Sequence, residues 1–264
     1  MSKRGIARGI AIIVALSCFG YLGYYAYEMH RTKDSNDVLS KRTRGQVFTE
    51  ETMEADPQVR GELAKRELYL LPQYAGLYKK NKNMIGWIRI EGTQVDNPVM
   101  KSVNGNGEYY LDHNFEQQED RNGTLFMDDK CDVIRPSENW IIYGHNMKSG
   151  QMFGELDNYK SEDFYKKHPT VYFDTIYETG KYKVMCAFQS HVFEETEIAF
   201  KYYQFIDPVS SQEFDAGIES MKEQAFYDTG VSAKYGDRLL ILSTCDYDEV
   251  NGRFVVVCVR EEEA

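Results

Sequence analysis

The amino-acid sequence predicts a mainly β fold, a barrel or a sandwich, for most of its 264 residues. Short apolar runs, several of them alternating with polar residues, recur along the chain and are separated by turn residues. The hydrophobic share of 42% is sufficient for a core, and 20 Tyr and 14 Phe favour half-buried strands. Many short strands with few helices are typical of a closed barrel or of two packed sheets.

Eight runs have the length and composition of strands. Pro98 favours an edge position for the second of them, because proline donates no bond to a sheet ladder. Gly180 belongs to a turn that precedes the longest run. The predicted strands are residues 85–90, 95–100, 123–127, 140–143, 170–173, 182–191, 238–244 and 253–260.

Helical spacing of apolar residues is confined to a few segments. Pro72 is expected to bend or split the first, because proline disrupts a helix interior. Ser210 or Ser211 can cap the last, since a serine oxygen accepts a bond from the first turn. The predicted helices are residues 57–80 and 210–226, with shorter helical stretches near 150–159 and at 161–167.

The N-terminal region predicts a membrane anchor. Residues 9–27 contain no charged residue and narrowly meet the requirement of about 20 apolar residues for a spanning helix. Basic residues precede this stretch, which favours a cytoplasmic N-terminus and an external remainder. We expect a single-pass protein of the cell membrane, with a cytoplasmic tip and anchor at 1–27, a polar linker at 28–56 and an extracellular domain at 57–264.

Two other interpretations of this region stay open. A cleaved signal peptide has a similar apolar core, but the sequence shows no clear small-residue cleavage site and the apolar stretch is longer than usual. A lipoprotein signal could end at Cys18, although the preceding Ala15-Leu16-Ser17 fits that pattern poorly.

The composition excludes several classes of partner and cofactor. A formal net charge of −11 argues against nucleic acid, because phosphate binding requires a basic surface. The five cysteines include no C-x-x-C pair, and there is no H-E-x-x-H segment, so a zinc site is not expected. No acidic calcium loop is evident either. We expect no metal, no cofactor and no disulfide framework.

Cys245 and Arg253 form the most informative pair in the chain. Cys245 follows a buried-type apolar run but has polar neighbours on both sides, whereas inert buried cysteines prefer apolar surroundings. Arg253 opens the next apolar run, and the intervening loop contains an Asn-Gly turn. A hairpin would therefore return the guanidinium to the thiol, where it could hold a carbonyl oxygen that gains negative charge.

His145 is the candidate proton carrier among five histidines. A hydrophobic strand delivers it through Gly144 to the edge of the predicted sheet, whereas a surface-loop histidine is the alternative. The acidic run Asp246, Asp248 and Glu249 is expected to be solvated, although one member could orient a base. A thiol, an imidazole and a guanidinium at strand ends can together perform acyl transfer.

These residues resemble the motifs of the sortases. Residues 242–245, followed by a hairpin to Arg253, resemble the sortase active-site strand pair, and residues 143–146 resemble its histidine motif. Residues 84–93 are similar to the start of the same domain. The helix at 210–226 and the helix that precedes the barrel are similar to those of class B sortases.

The resemblance implies an eight-stranded sortase barrel with an N-terminal helix and an extra helix before the cysteine strand. It implies a membrane-anchored cysteine transpeptidase of Gram-positive bacteria, without metal or cofactor. Its substrates would be secreted proteins that carry a C-terminal sorting motif. The acyl group would pass through a thioacyl-enzyme to an amine of a peptidoglycan precursor or cross-bridge.

The same resemblance assigns roles to individual residues. Cys245 would be the nucleophile, His145 the acid and base, and Arg253 the group that stabilises the oxyanion and the substrate. The residues expected to line the substrate cleft are Tyr143, Ser243 and Thr244.

Two alternatives remain at this point. An L,D-transpeptidase that acts on peptidoglycan is also a cell-wall cysteine enzyme, but its Ser-His-Gly-Cys context is absent from this sequence. A membrane-tethered binding module that has lost catalysis is the non-enzymatic alternative, against which the retention of Cys245, His145 and Arg253 argues.

Overall fold

Eight strands form one closed barrel in a computed structural model of the chain, in the order β1-β2-β3-β4-β7-β8-β6-β5. The bounds of the strands are β1 Met84–Arg89, β2 Asp96–Met100, β3 Leu125–Met127, β4 Asn139–Tyr143, β5 Thr170–Thr175, β6 Lys181–His191, β7 Leu239–Cys245 and β8 Gly252–Arg260. The mainly β class and the eight predicted strands are confirmed. The structure describes residues 3–45, 68–102, 106–194, 196–245 and 251–262.

Two of the neighbouring strand pairs are parallel, β2 with β3 and β4 with β7. Strand β7 lies between β4 and β8, and its first four residues are fully buried. A strand that is covered on both faces needs a continuous apolar run, and the sequence 239–242 supplies one. The sequence pattern thus places β7 in the interior of the sheet.

Pro98 lies in a closed sheet, so the predicted edge position of its strand is wrong. The register nevertheless accommodates the proline. It pairs with Trp87 of β1, whereas β3 pairs only with Val99 and Met100 of β2. Pro98 therefore lies beside a single neighbouring strand within its own stretch of β2.

Helices precede the barrel strands in the chain or lie between them. Among the described residues, the α-helices are α1 Lys3–Gly45, α2 Pro72–Lys80, α3 Glu162–Lys167 and α4 Ser211–Glu223, and the 3-10 turns are Tyr109–Leu111, Leu156–Lys160 and Tyr202–Gln204. Helix α2 begins at Pro72, where the sequence predicted a break, and residues 57–67 of that predicted helix lie outside the described residues.

Helix α4 is the predicted extra helix before the cysteine strand. Ser210 is its cap, and the serine oxygen accepts a 3.2 Å bond from the Glu213 amide. The Glu213 carboxylate accepts in turn from the Val209 amide at 2.9 Å. These contacts satisfy amide donors that a helix start otherwise leaves without partners.

The chain divides into two compact units, Met1–Val38 and Leu39–Ala264. Helix α1 continues through residues 28–45 of the predicted linker 28–56, and residues 46–56 lie outside the described residues. In the part of the chain that the structure describes, no helix has a stretch both long and apolar enough to cross a membrane.

Candidate active site

Cys245 and Arg253 are direct cross-strand neighbours at one end of the β7–β8 pair. Cys245 is the last residue of β7, Arg253 is the second of β8, and their Cα atoms are partners in the antiparallel register. Side chains of such partners share a face of the sheet. The antiparallel pairing therefore brings both side chains to one face of the sheet, and both residues are half-buried. Asn251 begins the return with a φ of 56°, the left-handed conformation typical of tight turns.

His145 reaches the same end through the parallel pairing of β4 with β7. Tyr143 is the Cα partner of Ser243, so His145 and Cys245 each follow a paired position by two residues. This register brings the His145 segment to the end of β7 that carries Cys245.

Another histidine at this edge faces the other way. His191 ends β6 and is the Cα partner of Gly252, whereas its neighbour Ser190 pairs with Arg253. Because successive residues alternate between faces, His191 lies on the face opposite Arg253. The register thus favours His145 as the partner of Cys245.

Hydrogen bonds continue the β4–β7 contact beyond the end of β4. The Gly144 amide donates to the Ser243 carbonyl at 3.2 Å, and the Thr244 hydroxyl donates to the Gly144 carbonyl at 2.7 Å. The Asn146 side-chain amide donates to the Cys245 carbonyl at 2.9 Å. The residues on both sides of His145, Gly144 through its backbone and Asn146 through its side chain, are therefore bonded to the cysteine strand.

Gly144 is required by close packing. A Cβ at this position would collide with the Leu125 side chain and approach the Phe153 ring to 2.9 Å. The glycine lets the chain pass under these side chains on its way to His145.

The His145 ring is held by a backbone carbonyl. Its Nε2 atom lies 2.6 Å from the Leu111 oxygen, and a carbonyl can only accept a hydrogen bond. The proton of a neutral imidazole is therefore held at Nε2, which leaves Nδ1 to exchange a proton.

The Arg253 guanidinium is also anchored to backbone. Its Nη1 atom donates to the Gly252 carbonyl at 2.9 Å and lies 3.4 Å from the Asn251 carbonyl. Because the guanidinium is planar, a fixed Nη1 also sets the directions of the other N–H groups.

The three predicted cleft residues are engaged in hydrogen bonds. The Tyr143 hydroxyl donates to an Asp128 carboxylate oxygen at 3.0 Å, and burial raises the pKa of this tyrosine. Ser243 and Thr244 are only 1% and 2% exposed. The Ser243 oxygen lies 2.8 Å from the Tyr202 hydroxyl. A role of these residues in substrate binding stays a prediction.

Tyr202 is a site residue that the sequence analysis did not find. Burial raises its pKa to about 12, while the hydrogen bond to Ser243 and the charge of Arg253 oppose the rise. The phenol therefore stays protonated near neutral pH and remains a hydrogen-bond donor. It lies in the 3-10 turn Tyr202–Gln204 between β6 and α4, a segment whose sequence carries no periodic signal.

The sequence analysis did not find Leu111 or Asp157, whose carboxylate accepts a 2.8 Å hydrogen bond from the Asn146 side chain. Leu111 acts through its backbone, which a side-chain motif cannot reveal. Asn146 belongs to the histidine motif at 143–146, but the sequence analysis gave it no role of its own. The acidic run at 246–249 lies outside the described residues.

Three other thiols differ from Cys245 because they are buried. Burial raises the pKa of Cys131 and of Cys186 to about 12, and the pKa of Cys258 well above its usual value. Such thiols stay protonated near neutral pH, and only the thiolate is strongly nucleophilic. Cys18 is exposed but lies in α1. Within the described residues, no group of three or more His, Cys, Asp or Glu side chains could hold a metal ion.

Comparison with known proteins identifies the family. The model of the sortase domain matches residues 88–261. The chain is 32% identical over 251 residues to sortase B of Listeria monocytogenes, with 92% of each chain covered.

Solved structures agree with this match. The crystal structure of sortase B from Bacillus anthracis superposes with a TM-score of 0.72 at 26% identity, covering 90% of this chain and 99% of the other. A Staphylococcus aureus sortase B–substrate complex superposes with a TM-score of 0.66 at 28% identity, covering 78% and 93%. These comparisons give no support to an L,D-transpeptidase or to an inactive binding module. The chain belongs to the sortase family and is a class B cysteine transpeptidase of cell-wall protein anchoring.

Proposed function

We propose that Cys245, His145 and Arg253 carry out the transpeptidation, as nucleophile, proton carrier and oxyanion partner. The observation that carries this proposal is the pairing of Cys245 with Arg253 at the strand end where β4 delivers His145. A nucleophile, a base and a cationic donor around one carbonyl are the parts that acyl transfer requires.

In the first step, the Cys245 thiolate attacks the carbonyl carbon of the scissile peptide bond. The carbonyl oxygen gains negative charge, and Arg253 stabilises it as the C–S bond forms. When the tetrahedral intermediate collapses, the C–N bond breaks and protonated His145 donates its proton to the leaving amine. The products are a thioester on Cys245 and the released C-terminal fragment.

In the second step, an amine replaces the released fragment. Neutral His145 accepts a proton from the incoming amine at Nδ1, since Nε2 donates to the Leu111 carbonyl. The amine attacks the thioester, the C–S bond breaks, and a new amide forms. Cys245 returns to its thiolate form and His145 to its protonated form.

The partners follow from this chemistry. The acyl donor is a secreted protein with a C-terminal sorting signal, and the acceptor is a primary amine of a peptidoglycan precursor or cross-bridge. Neither group needs a metal or a cofactor for activation, because the thiolate, the imidazole and the guanidinium supply the nucleophile, the proton and the charge.

Replacing Cys245 by Ala should abolish peptide cleavage and thioacyl-enzyme formation while the fold is retained. The full chain in detergent is incubated with peptides that carry randomised pentapeptide motifs, with triglycine as the amine, and products are read by mass. Cys18→Ala removes an exposed thiol outside the barrel and serves as the matched control. Cleavage by Cys245→Ala at the native rate would refute the assignment.

Replacing Arg253 by Lys should lower kcat by at least ~10²-fold, because an ammonium cannot reproduce a planar fork anchored at one nitrogen. Single-turnover acylation by a peptide from the same library measures the loss. Arg260→Lys, at the other end of β8, controls for the exchange itself. Equal rates for Arg253→Lys and the native chain would mean that charge alone suffices.

The burial of Thr244 suggests a test of its predicted contact with substrate. Thr244→Val keeps the shape but leaves the buried Gly144 carbonyl without its 2.7 Å donor, at a cost of ~1–3 kcal/mol in unfolding free energy. Urea unfolding measures this loss, and Thr244→Ser, which keeps the hydroxyl, should retain most of the stability. If Thr244→Val instead raised KM without any loss of stability, the Thr244 hydroxyl would be assigned to substrate binding.

We also propose that residues 1–27 tether the enzyme to the cell membrane, with residues 28–56 as linker and 57–264 as the extracellular catalytic domain. The uncharged stretch 9–27 and the basic residues that precede it support this arrangement.

Deletion of residues 1–27 should release the protein from membranes, because the apolar stretch would be gone. In a fractionation experiment, the full chain should sediment with membranes and resist a carbonate wash, whereas the truncated chain should be soluble. Replacing Lys3, Arg4 and Arg8 by Gln leaves the stretch intact and should preserve sedimentation. A full chain that is extracted by carbonate would contradict the anchor.

A further inference from the structure

We propose that Asn146, held by Asp157, is a positioning residue that fixes His145 relative to Cys245. The Asn146 side-chain amide donates to the Cys245 carbonyl at 2.9 Å and to an Asp157 carboxylate oxygen at 2.8 Å. The proposal rests on the proposed roles of Cys245 and His145. It adds two residues that touch neither the substrate nor the reacting atoms.

The contact takes the place of a missing strand ladder. Strand β4 ends at Tyr143, so no regular β4–β7 pairing reaches His145. The Asn146 amide makes the last of the hydrogen bonds that continue this contact, and it does so at the residue that bears the thiol. Asn146 is only 9% exposed, so water competes weakly for these bonds.

The chemistry of the carboxamide fits this role. An NH₂ group has two hydrogens, and the two acceptors lie on different elements, Cys245 at the end of β7 and Asp157 in the 3-10 turn Leu156–Lys160. Asp157 orients the amide through a charge-assisted bond, and the amide then holds the end of β7. The backbone of His145 is held as well, since the Phe153 amide donates to the His145 carbonyl at 3.1 Å.

The expected effect is a loss of rate rather than of binding. A misplacement of about 1 Å at a reacting group can cost up to 10²-fold in rate. Asn146→Ala should therefore lower kcat for acylation by about 10-fold or more and leave KM within about threefold. Asn158→Ala removes an exposed carboxamide from the same turn as Asp157 and is the matched control, with native kcat expected.

A double-mutant cycle separates positioning from general stability. The probe is the library peptide that the native full chain cleaves fastest, and the readout is single-turnover acylation in detergent. His145→Ala alone should cost at least ~10²-fold. If Asn146 acts by placing His145, the double variant should be no slower than His145→Ala, within about threefold. The proposal would be overturned if the loss of rate in the double variant equalled the product of the two single losses. It would also be overturned if Asn146→Ala had native kcat.

Asp157 provides a second test that keeps Asn146 in place. Asp157→Ala should lower kcat, and Asp157→Asn, whose carboxamide oxygen still accepts, should restore most of it. Should Asn146→Ala fail to fold, an Asp157→Ala variant with native kcat would refute the proposal in its place. A His145→Ala variant with less than a tenfold loss would instead refute the proposed function itself, so the two failures are distinguishable.

Discussion

The parallel pairing of β4 with β7 is the constraint on which the site depends. Two parallel strands end at the same edge of a sheet, so residues that follow β4 and residues that end β7 meet there. Strand β8 runs antiparallel to β7 and begins at that edge, where Arg253 is the partner of Cys245. His145, Cys245 and Arg253 converge for these two reasons, although about 100 residues separate the first from the other two.

Burial of β7 protects this register. Residues 239–242 are fully buried, and a slip by one residue would exchange every side chain between the two faces of the sheet. Cys245 and Arg253 would then lose their common face. The apolar sequence that stabilises the barrel therefore also determines on which side the thiol appears, and core packing and catalysis are linked through one strand.

Much of the fold could be predicted from the sequence, because strand runs and caps leave local signals. The apolar run before Cys245, the Asn-Gly turn before Arg253 and the cap at Ser210 are contacts between near neighbours in the chain. The β4–β7 pairing is different, because the sequence of a strand does not indicate which other strand will pair with it.

The predictions failed or remained incomplete where the answer depended on such non-local contacts. Pro98 suggests that its strand lies at a sheet edge. The strand is in fact paired on both sides, and β3 is too short to reach Pro98 itself. Leu111 holds His145 through a carbonyl that every residue type possesses. Tyr202 reaches Ser243 across 41 positions, from a segment without periodicity. Physical rules state that buried polar groups need partners, but they do not say which residue will supply each partner.

The partners that the structure gives for the two basic side chains are backbone carbonyls. Leu111 holds the imidazole of His145, and Gly252 holds the guanidinium of Arg253. A carbonyl orients a donor through its dipole but adds no negative charge, whereas a carboxylate would neutralise the cation it holds. In a chain with a net charge of −11, this choice of acceptor matters. It holds both groups and, in the proposed mechanism, leaves their positive charge to act on the thiolate and on the developing oxyanion.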